Sequence, residues 1–114
     1  MTPAPKETAV VTKIVKTLNT LPSTYARKVH GSRYSSGWPD VVGAMHGHML
    51  ALEVKRPGGG YGVTPLQARE IEKWIEAGAV SGVVTSVAEV HALLSEHPAL
   101  ATTGAVRMLG TLVS

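Results

Sequence analysis

Three residues near the middle of the chain, Asp40, Glu53 and Lys55, have the types and spacing needed for chemistry at a phosphodiester. Glu53 and Lys55 are two positions apart in an apolar stretch, so in a strand they share one face about 7 Å apart. Two carboxylates brought together repel one another, and a hard divalent cation relieves that repulsion. Such a cation polarises a phosphodiester and acidifies a bound water, while a nearby lysine orients or deprotonates the water or steadies developing charge.

The same three residues have a purely structural alternative, an ion-pair cluster at the edge of a sheet. Unpaired charges are expensive to bury in a central strand. The residues therefore either pair with one another and with their neighbours or build a site. Spacing alone leaves both interpretations open.

A predicted hairpin brings Asp40 to Glu53. Pro39–Met45 reads as a short strand, His46-Gly47 as a turn, and His48–Arg56 as the best strand in the sequence. Side chains alternate along this second strand, and both of its faces begin apolar. We therefore expect a central strand that is covered on both sides.

The remaining elements follow from helical periodicity, capping residues and β-rich runs. They are a helix from Lys6 to about Asn19, a strand over Thr24–Val29, a helix from Thr64 to about Ala77 ended by Gly78, a strand over Val80–Thr85, a helix over Val87–Ser95, and an edge strand or helix over Ala105–Val113. This order predicts an α/β fold in which a mixed sheet is flanked by helices.

Composition bounds the class of protein. The 114 residues are enough for one domain, and the hydrophobic share of 44% is ordinary for a globular protein. The absence of cysteine excludes disulfides and thiolate metal sites. No apolar run approaches the roughly 20 residues needed to span a bilayer, so we expect a cytoplasmic protein without a membrane partner. The net charge of +3 is compatible with a phosphate-rich partner.

A family resemblance narrows this interpretation. Asp40 with the later Glu53-Val54-Lys55, and Pro39 in the leading position, resembles the PD-(D/E)xK nuclease motif. The surrounding segments, 37–43, 52–59 and 64–67, resemble the VRR-NUC branch of that superfamily. The resemblance implies a single domain with a restriction-endonuclease-like core in αβββαβ order. This core covers about residues 6–97, and residues 98–114 form an extension of uncertain role.

The resemblance also implies a site. Asp40 and Glu53 would bind Mg²⁺ or Mn²⁺ with the Val54 backbone carbonyl, and Lys55 would handle the attacking water. Glu7 and Gln67 would also join the site and support the metal shell. Glu7 would contact the metal directly or through a water.

Glu7 and Gln67 each have a simpler explanation. Glu7 is also a first-turn acid of the kind that the helix dipole favours, although it shares the apolar stripe of Val11, Ile14 and Leu18. Gln67 also completes a capping box with Thr64.

Further residues are candidates for contacts with DNA phosphates, although a solvated loop explains each of them as well. They are Lys28, His30, Arg33, Tyr34, Arg56 and Tyr61. The His46-Gly47-His48 sequence lacks a third ligand at metal-binding spacing, so these histidines are expected to be exposed in a turn. Met45, Met49 and Trp74 are expected in the core.

The resemblance implies a structure-specific DNA endonuclease, similar to Holliday-junction resolvases, that acts as a homodimer on branched DNA in a bacterial or phage-infected cell. The apolar segment Ala105–Val113 is a candidate dimer contact. A restriction-type or nicking endonuclease on duplex DNA is the first alternative, and it normally needs extra recognition elements. A non-catalytic nucleic-acid-binding module is the second.

Overall fold

The computed structural model describes residues 6–29, 37–58 and 62–113. Its helices are α1 (Glu7–Leu18), α2 (Pro65–Glu76), α3 (Val87–Ser95), α4 (Pro98–Ala101) and α5 (Gly104–Leu112). Its strands are β1 (Thr24–Lys28), β2 (Val41–Met45), β3 (His48–Val54) and β4 (Val80–Val84). The predicted order of elements is confirmed as far as α3.

The four strands form one mixed sheet in the order β1-β2-β3-β4. Strands β1, β2 and β3 pair antiparallel, and β3 pairs with β4 in parallel. The β2–β3 hairpin turns at His46 and Gly47, whose φ angles of 49° and 80° are those of a type I′ turn. This turn suits the right-handed twist of the paired strands, and the predicted hairpin is confirmed.

One face of the sheet carries the main hydrophobic core. Leu50, Leu52 and Val54 of β3 are fully buried on this face. They belong to a cluster that includes the buried residues of α1, α3, α4 and α5. The prediction that β3 is central is confirmed, because Ala51 and Glu53 on its opposite face are buried as well.

Helix α2 lies against β3 and β4, but none of its residues is fully buried. Thr64 caps the helix, Pro65 is its first residue, and Gly78 follows its end with a φ of 98°. Trp74 is half-buried rather than a core residue, unlike the fully buried Met45.

The C-terminal segment is helical. Of the two forms expected for Ala105–Val113, the structure has the helix, which Thr103 caps. Its residues Ala105, Val106 and Leu109 are buried in the chain's own core. Much of the apolar content that suggested a dimer contact is therefore used inside the chain. None of the helices in the described part of the chain is long and apolar enough to span a bilayer.

Gly43→Ala should destabilise the fold by about 1–3 kcal/mol, the usual cost of overpacking. A Cβ at Gly43 would overlap the Tyr25 carbonyl oxygen and lie 2.8 Å from the Ala26 Cα. Gly104→Ala is the matched control, because a Cβ there meets nothing within 4 Å. Urea unfolding of both variants measures the difference, and equal stabilities would contradict the close approach of β1 and β2.

Candidate functional site

Asp40 is held in place by the edge of β3. Its backbone amide donates to the Leu52 carbonyl at 3.0 Å, and its own carbonyl accepts from the Val29 amide at 2.8 Å. Its carboxylate Oδ2 accepts from the Val54 amide at 2.8 Å. The side chain therefore occupies the place of the next rung between β2 and β3, which fixes the carboxylate beside Glu53.

Glu53 is a buried acid, with 2% of its surface exposed. Burial, the negative charge of Asp40 and a hydrogen bond with Asp40, in decreasing order of effect, raise the pKa of its carboxyl from 4.5 to about 8. Lys55 lowers this pKa and Glu7 raises it, both by smaller amounts. At neutral pH the Asp40–Glu53 pair therefore retains a proton that a divalent cation would displace.

Lys55 and Gln67 converge on one oxygen of Glu53. The Lys55 Nζ lies 3.7 Å from Glu53 Oε1, and Gln67 Nε2 donates to the same atom at 2.7 Å. Gln67 Oε1 accepts from the Lys55 Nζ at 3.2 Å. The reversed amide would place its NH₂ group against the ammonium, so these partners fix the orientation of Gln67.

Gln67 also completes the capping box of α2. Its Oε1 accepts from the Thr64 amide at 3.0 Å, and its own amide donates to Thr64 Oγ1 at 3.1 Å. The two interpretations of Gln67 are therefore compatible, because one side chain caps the helix and contacts Glu53. The first turn of α2 is tied to the site by this residue.

Glu7 lies at the start of α1 and is half-buried. The expected helix phase is confirmed, since Val11, Ile14 and Leu18 are buried. Its influence on the pKa of Glu53 places its carboxylate within electrostatic range of the site. Among residues 6–29, 37–58 and 62–113, however, no three His, Asp or Glu side chains are grouped as metal ligands. A role for Glu7 through water remains a prediction.

The donor set suits a hard cation. Asp40 and Glu53 offer carboxylate oxygens, and Mg²⁺ is commonly bound by one or two carboxylates while it retains several waters. Burial and the neighbouring acids raise the pKa of Glu53, and a bound cation would favour its ionised form. The Val54 amide donates to Asp40, so Val54 adjoins the pair, and the Val54 carbonyl remains a predicted ligand.

The predicted DNA contacts divide into two groups. Lys28 and Arg56 are exposed. His30, Arg33, Tyr34 and Tyr61 lie outside the described residues.

The expected turn exposure of the histidines is correct for His46 and wrong for His48. His48 begins β3 and packs its ring against that of His97, with centroids 5.1 Å apart.

Sequence reasoning did not single out Trp38, which is 53% exposed. Its position directly before Pro39-Asp40 could have indicated that it lies near the site.

Two solved structures are similar to this chain. One is described as a VRR_NUC domain and is 30% identical, with a TM-score of 0.64, over 83% of this chain and 99% of that one. The other is described as a VRR_NUC domain protein and is 18% identical, with a TM-score of 0.62, over 87% of this chain and 93% of that one. The second likeness shows the fold alone. No protein-family model and no curated protein matches the sequence.

The unfolding free energy should fall as pH rises from about 4.5 to about 8, by up to about 1.4 kcal/mol per pH unit. The reason is that Glu53 binds its proton more tightly in the folded state, with a pKa of about 8. This stabilisation is complete below the unfolded pKa and is lost as pH rises through the folded value. Glu53→Gln should flatten the decline.

Urea unfolding between pH 5 and pH 8.5 measures this effect. Glu72→Gln is the matched control, because Glu72 is exposed on α2 and its replacement should leave the decline in place. An unchanged decline in Glu53→Gln would show that another group is responsible.

Proposed function

Because the chain belongs to the VRR-NUC family of nucleases, we propose that it hydrolyses DNA phosphodiester bonds with Mg²⁺ or Mn²⁺ bound at Asp40 and Glu53. The observation that carries this proposal is the buried Glu53, whose carboxyl has a pKa of about 8 beside Asp40 and is contacted by Lys55. A structural ion pair would instead match the acids with an equal number of bases. Among the described residues, two acids, Asp40 and Glu7, raise the pKa of Glu53 and one base, Lys55, lowers it.

The chain's own residues have separate roles in this mechanism. A bound divalent cation supplies Lewis acidity toward the phosphodiester and lowers the pKa of its water. Gln67 and Lys55 both contact Glu53 Oε1 and would hold the carboxyl in place beside Asp40 when a cation binds. Lys55 orients the attacking water and opposes the negative charge that develops at the phosphate.

The distribution of charge supports a nucleic-acid partner. Helix α1 and strand β1 carry four basic residues, Lys13, Lys16, Arg27 and Lys28, and Glu7 is the only acid in their sequences. The acids outside the site lie on α2, on α3 and at the end of α3. Of the basic residues, Lys28 pairs with Val41, directly after Asp40, and positive charge there favours phosphate-rich substrates.

The proposed substrate is branched DNA, cut by a homodimer in the manner of Holliday-junction resolvases. A four-way junction has two-fold symmetry, and a two-fold dimer would present two sites to its paired strands. The chain is also small, and a domain of 114 residues has little surface for reading a long base sequence. Both arguments favour recognition of DNA shape over sequence.

Asp40→Asn and Glu53→Gln should each reduce cleavage by at least about a hundredfold, because each removes charge that holds the cation. The assay uses duplex, nicked, flap and four-way-junction DNA with Mg²⁺, with Mn²⁺ and with EDTA. Cleavage should require the metal and favour the junction, and Glu72→Gln should retain it. Metal-dependent cleavage that survives both substitutions would refute the site.

The same assay separates the alternatives. Cleavage of linear duplex at one sequence would favour a restriction-type enzyme. A failure to cut any substrate, combined with salt-sensitive binding, would favour a non-catalytic binding module.

Gln67→Ala should lower cleavage about 10- to 100-fold, as expected when a side chain that orients a metal ligand is lost. Thr64→Ala is the matched control, because both variants break the capping box but only Gln67→Ala loses the contacts with Glu53 and Lys55. Both should lose about 1 kcal/mol of stability. Equal cleavage rates at equal folded fractions would assign Gln67 to the helix alone.

A further inference from the structure

Trp38 is a large apolar side chain exposed beside the site. It lies two residues before Asp40, and the Pro39 between them is buried. A residue that precedes proline favours an extended backbone, and alternate side chains of an extended chain point to the same side. The alternation of exposed Trp38, buried Pro39 and half-exposed Asp40 fits this geometry. Trp38 is therefore an exposed aromatic side chain two residues from a proposed metal ligand.

A contact of Gly37, the residue before Trp38, ties this segment to helix α2. Gly37 has a φ of +87°, and a Cβ there would lie 2.7 Å from Leu66 Cγ. The backbone that leads into Trp38 is thus packed on the first turn of α2. The residue after Leu66 is Gln67, which donates to Glu53. Gly37, directly before Trp38, thus contacts Leu66, and Leu66 directly precedes Gln67 of the site.

Trp38 and Leu66 are the two exposed apolar side chains next to the site in sequence, and we call them its apolar rim. Trp38 is 53% exposed and Leu66 is 50% exposed. Single exposed apolar residues are ordinary on protein surfaces, but Trp38 lies two residues before Asp40 and Leu66 directly before Gln67. The contact of Gly37 with Leu66 brings the two segments together. Exposed aromatic rings stack on nucleobases with little preference for sequence, because every base has a π-face.

We propose that Trp38 stacks on an unpaired or unstacked nucleobase next to the scissile phosphate, with Leu66 against the same base. In continuous duplex each base is covered on both faces by its neighbours, so only an unpaired or unstacked base offers a free face. The rim would therefore select single-stranded and branched DNA over intact duplex. This inference rests on the proposed function and names the feature of the substrate that the site recognises.

Fluorescence tests the contact independently of cleavage. The chain has two tryptophans, so Trp74→Phe leaves Trp38 as the sole source of tryptophan fluorescence. Trp74 Nε1 is buried without a hydrogen-bond partner in the described structure, so removal of this donor should be tolerated. In EDTA, a single-stranded oligonucleotide and a four-way junction should quench Trp38, and blunt duplex should quench it much less.

Affinity measurements on variants complete the test. Trp38→Ala should weaken binding of single-stranded and junction DNA about 5- to 150-fold, the range measured when a stacking aromatic is truncated. Duplex binding should change little, and Trp38→Phe should retain most of the affinity. Tyr25→Ala is the matched control, because Tyr25 is a 61% exposed aromatic on β1, and its removal should have little effect.

Several outcomes would overturn the inference. DNA that is bound or cleaved without quenching would reject stacking while leaving the nuclease proposal intact. Equal losses on duplex and single strands in Trp38→Ala would assign Trp38 to general binding. Fluorescence that depends on protein concentration without DNA would assign the rim to a second copy of the chain. The absence of both DNA binding and metal-dependent cleavage would reject the proposed function itself.

Discussion

The burial of Glu53 in a central strand is the constraint on which the site depends. A carboxyl buried on one face of a sheet loses its hydration, and this loss favours the protonated form over the ion. The neighbouring structure provides Gln67, Lys55 and the hydrogen bond with Asp40 as partial substitutes for water. The substitution is incomplete, because two further acids add negative potential. A positive charge bound at this place would therefore stabilise the ionised form of Glu53.

The two faces of the sheet meet this constraint differently. The face that contains Leu50, Leu52 and Val54 packs on several helices and is closed by apolar contacts. The opposite face is covered by α2, which has no fully buried residue and is joined to the strands near its start by the polar contacts of Gln67. The densely packed face holds most of the apolar core, and the carboxyl of Glu53 lies on the face that α2 covers. Because the apolar core and the charged site lie on different faces of the sheet, a small domain can contain both.

Much of the fold and site could be predicted because local signals agreed with tertiary structure. Strand alternation placed Glu53 and Lys55 on one face, and the His46-Gly47 turn placed Asp40 beside them. The Thr64–Gln67 capping pattern located the start of α2. The form of Ala105–Val113 could not be decided, because an apolar run fits either a strand or a helix until its packing partners are known.

The sequence could not predict distances between side chains that are far apart in the chain. It could not reveal that Gly37 packs on Leu66, which joins segments far apart in the chain. It could also not give the strength of the coupling between Glu7 and Glu53. Both depend on how α1 and α2 approach the sheet.

The double use of Gln67 restricts which amino acids this position tolerates. Glutamine and glutamate are the two residues that complete a capping box with threonine, and in most helices they are interchangeable there. At position 67 glutamate would retain the bonds to Thr64 and Lys55 but turn an acceptor toward Glu53, where Gln67 now donates. Two acceptors would then face one another without a shared proton. A redesign that seeks only a better helix start would accept glutamate here, and the site would reject it.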